Sequence, residues 1–387
     1  MATNSKMIDA MTETKSTKWA RLGDYIELCD ERALDNYTIE DVVGISTEKK
    51  FIPTKANMDG VSLNSYKVIK PYEFAYVADT SRRGDKIALA LNTSQRSVLV
   101  SSIYTSFRSK DDNQLDPEYL FILMNREEFD RYARFHSWGS ARETFDWLEI
   151  CDIELPLPDI EVQRELVEVY NGLKALVEEN EALIPKLSAA CHAYIVDCRE
   201  KYPSVQLGEY IEQADERVGE NSYTMEDVTG IGNQKALIPT KADMKDVSLK
   251  PYKILNKREF CYVTVTSRNG NKISIAMNNS DLERIVSSSY IVFRSKDYDV
   301  LLPEYLFLLF NRSEFDRYSR FNSWGSARET FDWSEMCRID IPLPSIEVQQ
   351  AIVDVFNCAE RAKRIATEAR QRLKTICSAL VQRAANF

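Results

Sequence analysis

Two hydrophobic rhythms alternate along this chain. In residues 159–201 and again in 345–387, apolar side chains return every three and four positions. The first stretch carries Val162, Leu166, Val169, Leu173, Leu176, Asn180, Leu183 and Leu187, and the second carries Val348, Ile352, Val355, Ala359, Ala362, Ala366, Ala369, Leu373, Ile376 and Leu380. That spacing predicts long helices with a coiled-coil stripe. Bulky Leu173, Leu176 and Leu183 complement small Ala359, Ala362 and Ala369, so the stripes are expected to face each other, with Asn180 fixing register. Pro185 predicts a kink or break near the end of the first helix. Elsewhere, segments such as EFAYVAD, KIALALN and SVLVSSIYTSFRS run or alternate apolar, are rich in β-branched and aromatic residues, and are punctuated by Gly, Asn, Asp and Ser. These read as short strands and turns. PEYLFILM from Pro117 and PEYLFLLF from Pro303 read as helices with proline in the first turn.

The strand-rich parts are two copies of one domain. SWGSARETFDW, from Ser137 to Trp147, recurs unchanged from Ser323 to Trp333, 186 positions later. The alignment runs without a gap from Thr38 and Thr224 to LPLP (Leu155 to Pro158) and IPLP (Ile341 to Pro344), and 33 of the 64 pairs between windows 47–110 and 233–296 are identical. So long a period exceeds that of solenoid repeats and means duplication of a whole domain. The expected fold class is α/β (α+β). A tail (1–18) precedes a first mixed domain (19–158), a spacer helix (159–201), a second mixed domain (202–344) and a C-terminal helix (345–387). Pairing the helices antiparallel would separate the domains and relate them by a pseudo-two-fold axis.

Charge sharpens this picture. The 387 residues carry a net charge of −10, which by itself argues against a free-standing nucleic-acid binder. The windows 47–110 and 233–296, however, hold +6 and +7, leaving −23 on the rest. The first spacer stretch, 159–200, has nine acids and four bases, whereas 345–387 has seven bases and four acids, again favouring a pair. No run of eighteen apolar residues occurs and the first residues lack an apolar core, so no membrane association is expected and the location expected is cytoplasmic. Eight cysteines without a CxxC pair read as small packing residues; Cys151 and Cys337 share one repeat position.

Inside the basic windows, Lys55, Arg82, Arg83 and Lys86 lie among turn-forming residues, as do Lys241, Arg268 and Lys272. Such side chains suit phosphates and guanine edges. The candidate DNA contacts are Thr54, Lys55, Ser81, Arg82, Arg83, Ser102, Tyr104 and Arg142, with counterparts Thr240, Lys241, Ser267, Arg268, Asn269, Ser288, Tyr290 and Arg328. Trp138 and Trp324 are expected to be packed loop anchors rather than base-stacking residues. Arg83 against Asn269 and His136 against Asn322 are differences suited to unequal half-sites. Catalysis is not expected. The chain has no Asn-Pro-Pro-Tyr or Asp-Pro-Pro-Tyr loop and no G-x-x-x-x-G-K-[ST] cradle, and Asp159 and Glu161 fit a helix N-terminus. Neither a metal site nor a cofactor is expected.

Two mixed domains that end in LPLP or IPLP and IEVQ, each with a GS-x-R stretch at Gly139 or Gly325 upstream of a long helix, resemble the specificity subunits of type I restriction-modification enzymes. The resemblance covers nearly all of the chain from Trp19 onward. It implies a non-catalytic subunit whose two target-recognition domains read an interrupted sequence in double-stranded DNA. It further implies helices that dock two methyltransferase subunits, which bind S-adenosylmethionine, together with motor-nuclease subunits. The similarity of the copies and the expected two-fold predict a near-palindromic target. A specificity subunit of a methylation system without a nuclease, or a scaffold that binds proteins only, are the alternatives.

Overall fold

The structure is a computed structural model that describes residues 18–385, apart from 35–36, 81–85, 141, 221, 233, 241, 246, 267–271 and 327. Contacts divide the chain into two units, Met1–Glu178 with Ala366–Phe387, and Glu179–Ile365. Each unit holds one repeat copy and half of each long helix.

In the first unit, four antiparallel strands form the central sheet in the order Ile26–Cys29, Thr105–Ser109, Phe74–Tyr76, Leu89–Leu91. Shorter antiparallel pairs join Val43–Ile45 to Phe51–Pro53, Lys67–Ile69 to Val98–Val100, and Lys18–Arg21 to Glu154–Leu157. Three short helices follow, α1 (Pro117–Met124), α2 (Glu127–Phe135) and α3 (Trp147–Cys151). As its sequence predicts, α1 begins on proline, and the Asp116 carboxylate accepts the N–H groups of Glu118 and Tyr119.

The core lies between this sheet and the helices. Phe74 stacks on Phe107 with ring centroids 4.7 Å apart, and buried Tyr119 donates its hydroxyl to the Pro156 carbonyl at 2.9 Å. Gly23 is needed because a β-carbon there would lie 2.7 Å from that of Cys151. Cys151 is half-buried, and the described cysteines are all free.

The second unit repeats this design. Its central sheet runs Ile211–Ala214, Tyr290–Ser295, Phe260–Val263, Ile275–Met277, and its pairs are Thr229–Ile231 with Leu237–Pro239, Lys253–Leu255 with Arg284–Val286, and Ser204–Gln206 with Asp340–Pro342. Helices α5 (Pro303–Phe310), α6 (Ser313–Phe321) and α7 (Trp333–Cys337) follow, in the order of α1 to α3. Two long helices complete the chain: α4 (Ile160–Lys201) after the first copy and α8 (Ile346–Ala385) after the second.

The glutamine of IEVQ fixes each long helix to its domain. Gln163, fully buried, accepts the N–H of Asp116 at 2.9 Å and donates its amide to the carbonyls of Gln114 at 2.9 Å and Pro158 at 2.8 Å. Gln349 does the same with the Leu302 N–H and the carbonyls of Val300 and Pro344, at 2.9, 2.8 and 2.9 Å. The recurrent motif at the domain-to-helix junction is therefore a hydrogen-bonded joint.

The stripe predicted on α8 is the buried one: Ile352, Ala359, Ala362, Ala366 and Ala369 all face inward. In the second unit, Cys191, Ile195 and Cys198 of α4 share a core with Ile352 and Val353 of α8. The tail of α4 is thus grouped with the head of α8, and residues from Ala366 onward with the head of α4, which is antiparallel order.

The stripe on α4 differs from its prediction. Leu176 and Leu183 are 44% and 46% exposed, whereas Val177, Cys191, Ile195 and Cys198 are buried. An undistorted helix repeats every 3.6 residues rather than 3.5, so its inward face drifts by about 20° per heptad. The adjacent apolar pairs Leu176-Val177 and Leu183-Ile184 let the buried face shift by one residue without losing hydrophobicity. Nor does Pro185 break the helix, which runs from Ile160 to Lys201 around it. No helix among the described residues is long and apolar enough to cross a membrane.

Candidate DNA interface

In each sheet the basic segment connects an inner strand to the edge strand beside it. Phe74–Tyr76 pairs with Leu89–Leu91, and the Val77 N–H extends the ladder to the Ala88 carbonyl at 2.9 Å. The chain between them contains Ser81, Arg82 and Arg83, which, with Lys241, Ser267, Arg268 and Asn269, lie outside the described residues.

Both ends of this connection are held. At one end the Thr80 N–H and hydroxyl donate to the Glu143 carbonyl at 3.0 and 3.2 Å, and the Phe145 N–H reaches the Ala78 carbonyl at 2.9 Å. At the other, the Ile87 N–H donates to the Asp130 carboxylate at 3.2 Å. The second copy matches, through Thr266 on the Glu329 carbonyl at 3.0 and 3.3 Å, Phe331 on that of Thr264 at 2.8 Å, and Ile273 on Asp316 at 3.2 Å.

Asp130 belongs to a buried ion pair. The Lys49 ammonium lies 2.8 Å from that carboxylate and donates to the Met124 carbonyl at 2.7 Å, at the end of α1. Lys235 repeats this with Asp316 at 2.7 Å and the Phe310 carbonyl at 2.6 Å. Burial pushes both lysines below the ordinary ammonium pKa, and the carboxylates oppose that shift. Each lysine also sits at positive φ, 57° and 56°. The sequence reading missed these four residues, because a lysine in a basic window looks solvated; its identity in both copies was the available signal.

The remaining candidates form two groups. Arg142 is exposed on a small hairpin closed by Trp138 and Thr144, whose N–H groups donate to each other's carbonyls at 3.0 and 2.9 Å. Because Glu143 of this hairpin receives Thr80, Arg142 stands beside the start of the basic connection. Arg328 occupies the same place in the second copy, its hairpin closed by Trp324 and Thr330. Arg134 pairs with Glu143, and Arg320 with Glu329.

The second group lies past the hairpin of Val43–Ile45 and Phe51–Pro53 and at the turn leading into the strand Thr105–Ser109, with the same placement in the second copy. Thr54 and Thr240, both half-buried just past strands Phe51–Pro53 and Leu237–Pro239, spend their hydroxyl oxygens on the N–H groups of Ala56 and Ala242, each at 3.2 Å. Lys55, Ser102 and Ser288 are exposed. Tyr104 and Tyr290 are half-buried, with hydroxyls 3.9 and 3.8 Å from where Gly44 and Gly230 would carry a β-carbon. Burial raises the Tyr290 pKa, with Cys261 and Tyr252 adding to it. Among the described residues, these contacts bind each group within itself rather than to the other.

One expectation needs correction. Trp138 and Trp324 are not packed anchors: they are 62% and 64% exposed. The loop needs no indole to hold it, because Gly139 (φ 139°) and Gly325 (φ 141°) set the turn and paired backbone hydrogen bonds close it. His136 is likewise engaged internally, stacked on Tyr132 at 4.1 Å with Nδ1 3.3 Å from Glu149, while Asn322 donates to the Tyr318 carbonyl at 3.0 Å.

Gly139→Ala is expected to disrupt this hairpin, since the added β-carbon would lie 2.1 Å from the Arg142 carbonyl oxygen at a φ that L-residues avoid. Susceptibility to a protease at Arg142 should rise in the variant and remain unchanged at Arg328.

Residues 223–375 match the family model described as the type I restriction modification DNA specificity domain. That stretch is similar to type I DNA specificity domains. It takes in most of the second copy together with the head and middle of α8. The resemblance to type I specificity subunits is thereby borne out.

The HindI specificity subunit of Haemophilus influenzae is 26% identical over 152 residues, which are 38% of this chain and 32% of that protein. The match thus spans about a third of this curated relative. The crystal structure of a type I restriction-modification S subunit from M. genitalium has a similar fold, with a TM-score of 0.52 at 12% identity, covering 95% of this chain and 96% of that one.

Proposed function

We propose that this chain is the DNA-reading subunit of a type I restriction-modification complex, in which each specificity-domain copy contacts one half of an interrupted, near-palindromic site in double-stranded DNA. The observation that carries the reading is the doubled arrangement just described: an exposed arginine, Arg142 or Arg328, on a hairpin laced to the start of a basic connection. Arg82, Arg83, Arg268 and Asn269, together with Thr54, Lys55, Ser81, Ser102, Tyr104 and their counterparts, complete the proposed contact set. The chain itself is non-catalytic in this reading. Two methyltransferase subunits dock on the acidic helical surface around Glu178 and Glu179, both exposed on α4, and carry the S-adenosylmethionine; motor-nuclease subunits join that core.

Methylome sequencing of cells carrying the intact system tests the reading directly. The expected result is a bipartite motif whose halves are inverted near-copies, and halves without inverted similarity would refute the two-copy argument. Arg142→Ala combined with Arg328→Ala should weaken binding to all sequences alike and lower the salt slope of log K by about two, if each arginine meets a phosphate.

A further inference from the structure

We infer that Trp138 and Trp324 are DNA-contact residues, each laying its indole against the uncharged sugar and base-edge surface of the duplex beside the phosphates that the neighbouring arginine meets. The inference rests on the proposed DNA-reading function and adds to it a contact of different chemistry. An indole is seldom left open on a soluble chain, yet both copies expose one, and each is preceded three residues earlier by a more exposed phenylalanine, Phe135 at 74% and Phe321 at 79%.

The backbone that carries each ring is held at both ends. The hairpin is closed by two backbone hydrogen bonds, 3.0 and 2.9 Å in the first copy and 3.1 and 2.9 Å in the second, and turned by a glycine at a φ near 140°. A surface fixed in advance loses little conformational freedom when it binds.

Position and charge select the occupant. The hairpin is hydrogen-bonded to Thr80, directly before Ser81-Arg82-Arg83, and bears exposed Arg142, while Arg134 is already neutralised by Glu143. An aromatic face beside the exposed Arg142 or Arg328 suits the alternation of apolar sugar and anionic phosphate along a DNA strand. The eleven residues around each tryptophan are identical, whereas Arg83 and Asn269 differ. Identical residues fit features that both half-sites share, and differing residues fit the bases that distinguish them.

The test uses the full chain assembled with its methyltransferase subunits, and a duplex carrying the motif found methylated in cells. Titration by fluorescence anisotropy at several salt concentrations should show Trp138→Ala with Trp324→Ala weakening binding by roughly ten-fold or more, with an unchanged salt slope because no charge is lost. Trp138→Phe with Trp324→Phe should recover most of the affinity, and an unchanged melting temperature is expected for side chains this exposed. If the alanine pair binds within two-fold of the parent while Arg142→Ala with Arg328→Ala weakens binding, the inference falls and the proposed function stands. If the parent complex itself does not bind the duplex, both fall. Loss of the methyltransferase subunits from the alanine pair, with DNA affinity intact, would overturn the inference in favour of a protein-docking surface.

Discussion

Asp130→Ala is expected to destabilise the first copy by about 3–5 kcal/mol, the usual consequence of removing one partner from a buried ion pair. The side chains of Lys49 and Asp130 are both almost wholly buried. In the variant the ammonium keeps the Met124 carbonyl but loses its counter-charge, and the Ile87 N–H loses its acceptor. The loss is comparable with the whole stability of a typical domain, ~5–15 kcal/mol. Urea titration followed by tryptophan fluorescence should show an early transition that the parent lacks. Lys49→Met combined with Asp130→Leu should recover much of the loss, since it removes both charges while keeping similar volume. Equal loss in the single and double variants would show that the pair is not the stabilising element. Asp316→Ala should act the same way on the second copy, through Lys235 and the Ile273 N–H.

The second large effect is expected at the joints. Gln349→Ala leaves the Leu302 N–H and the carbonyls of Val300 and Pro344 without partners in a fully buried site. Each group left unsatisfied costs about 1–3 kcal/mol, less where a water molecule enters the space. A total near 3 kcal/mol is expected, read as a lower unfolding midpoint with faster proteolysis near Pro344. Gln349→Leu should be no better, because it restores volume without hydrogen bonds. A variant as stable as the parent would reduce the motif to helix-starting sequence with no mechanical role.

The features legible in the sequence were those written in long or repeated patterns. The gap-free offset disclosed two copies, heptads disclosed α4 and α8, and the proline of PEYLF disclosed the first turn of α1 and α5. Sheet order was not legible, because strands of three to six residues, such as Phe74–Tyr76, carry too few alternations to specify a neighbour. The inward face of α4 was misplaced at Leu176 because Val177 is equally apolar, and only packing decides between them. Lys49 was not singled out, since nothing local in the sequence announces a carboxylate 81 positions away. The tryptophans misled for the opposite reason: an invariant indole suggests packing, but here backbone geometry does the holding. Of the candidate site, the sequence located the basic connections and the hairpin arginines, whereas the hydrogen bonds that place one beside the other exist only in the folded chain.

The glutamine joints also make each long helix behave as a screw with a fixed thread. Because Gln163 binds both sides of the junction, the rotational phase of α4 is set at its first turn and inherited by every residue after it. One residue inserted beyond Gln163 would turn the rest of the helix by about 100°, while seven would return the stripe to within about 20° of its original bearing. Length can therefore be added to such a helix in whole heptads with its inward face preserved, and in single residues only by turning that face away from its partner.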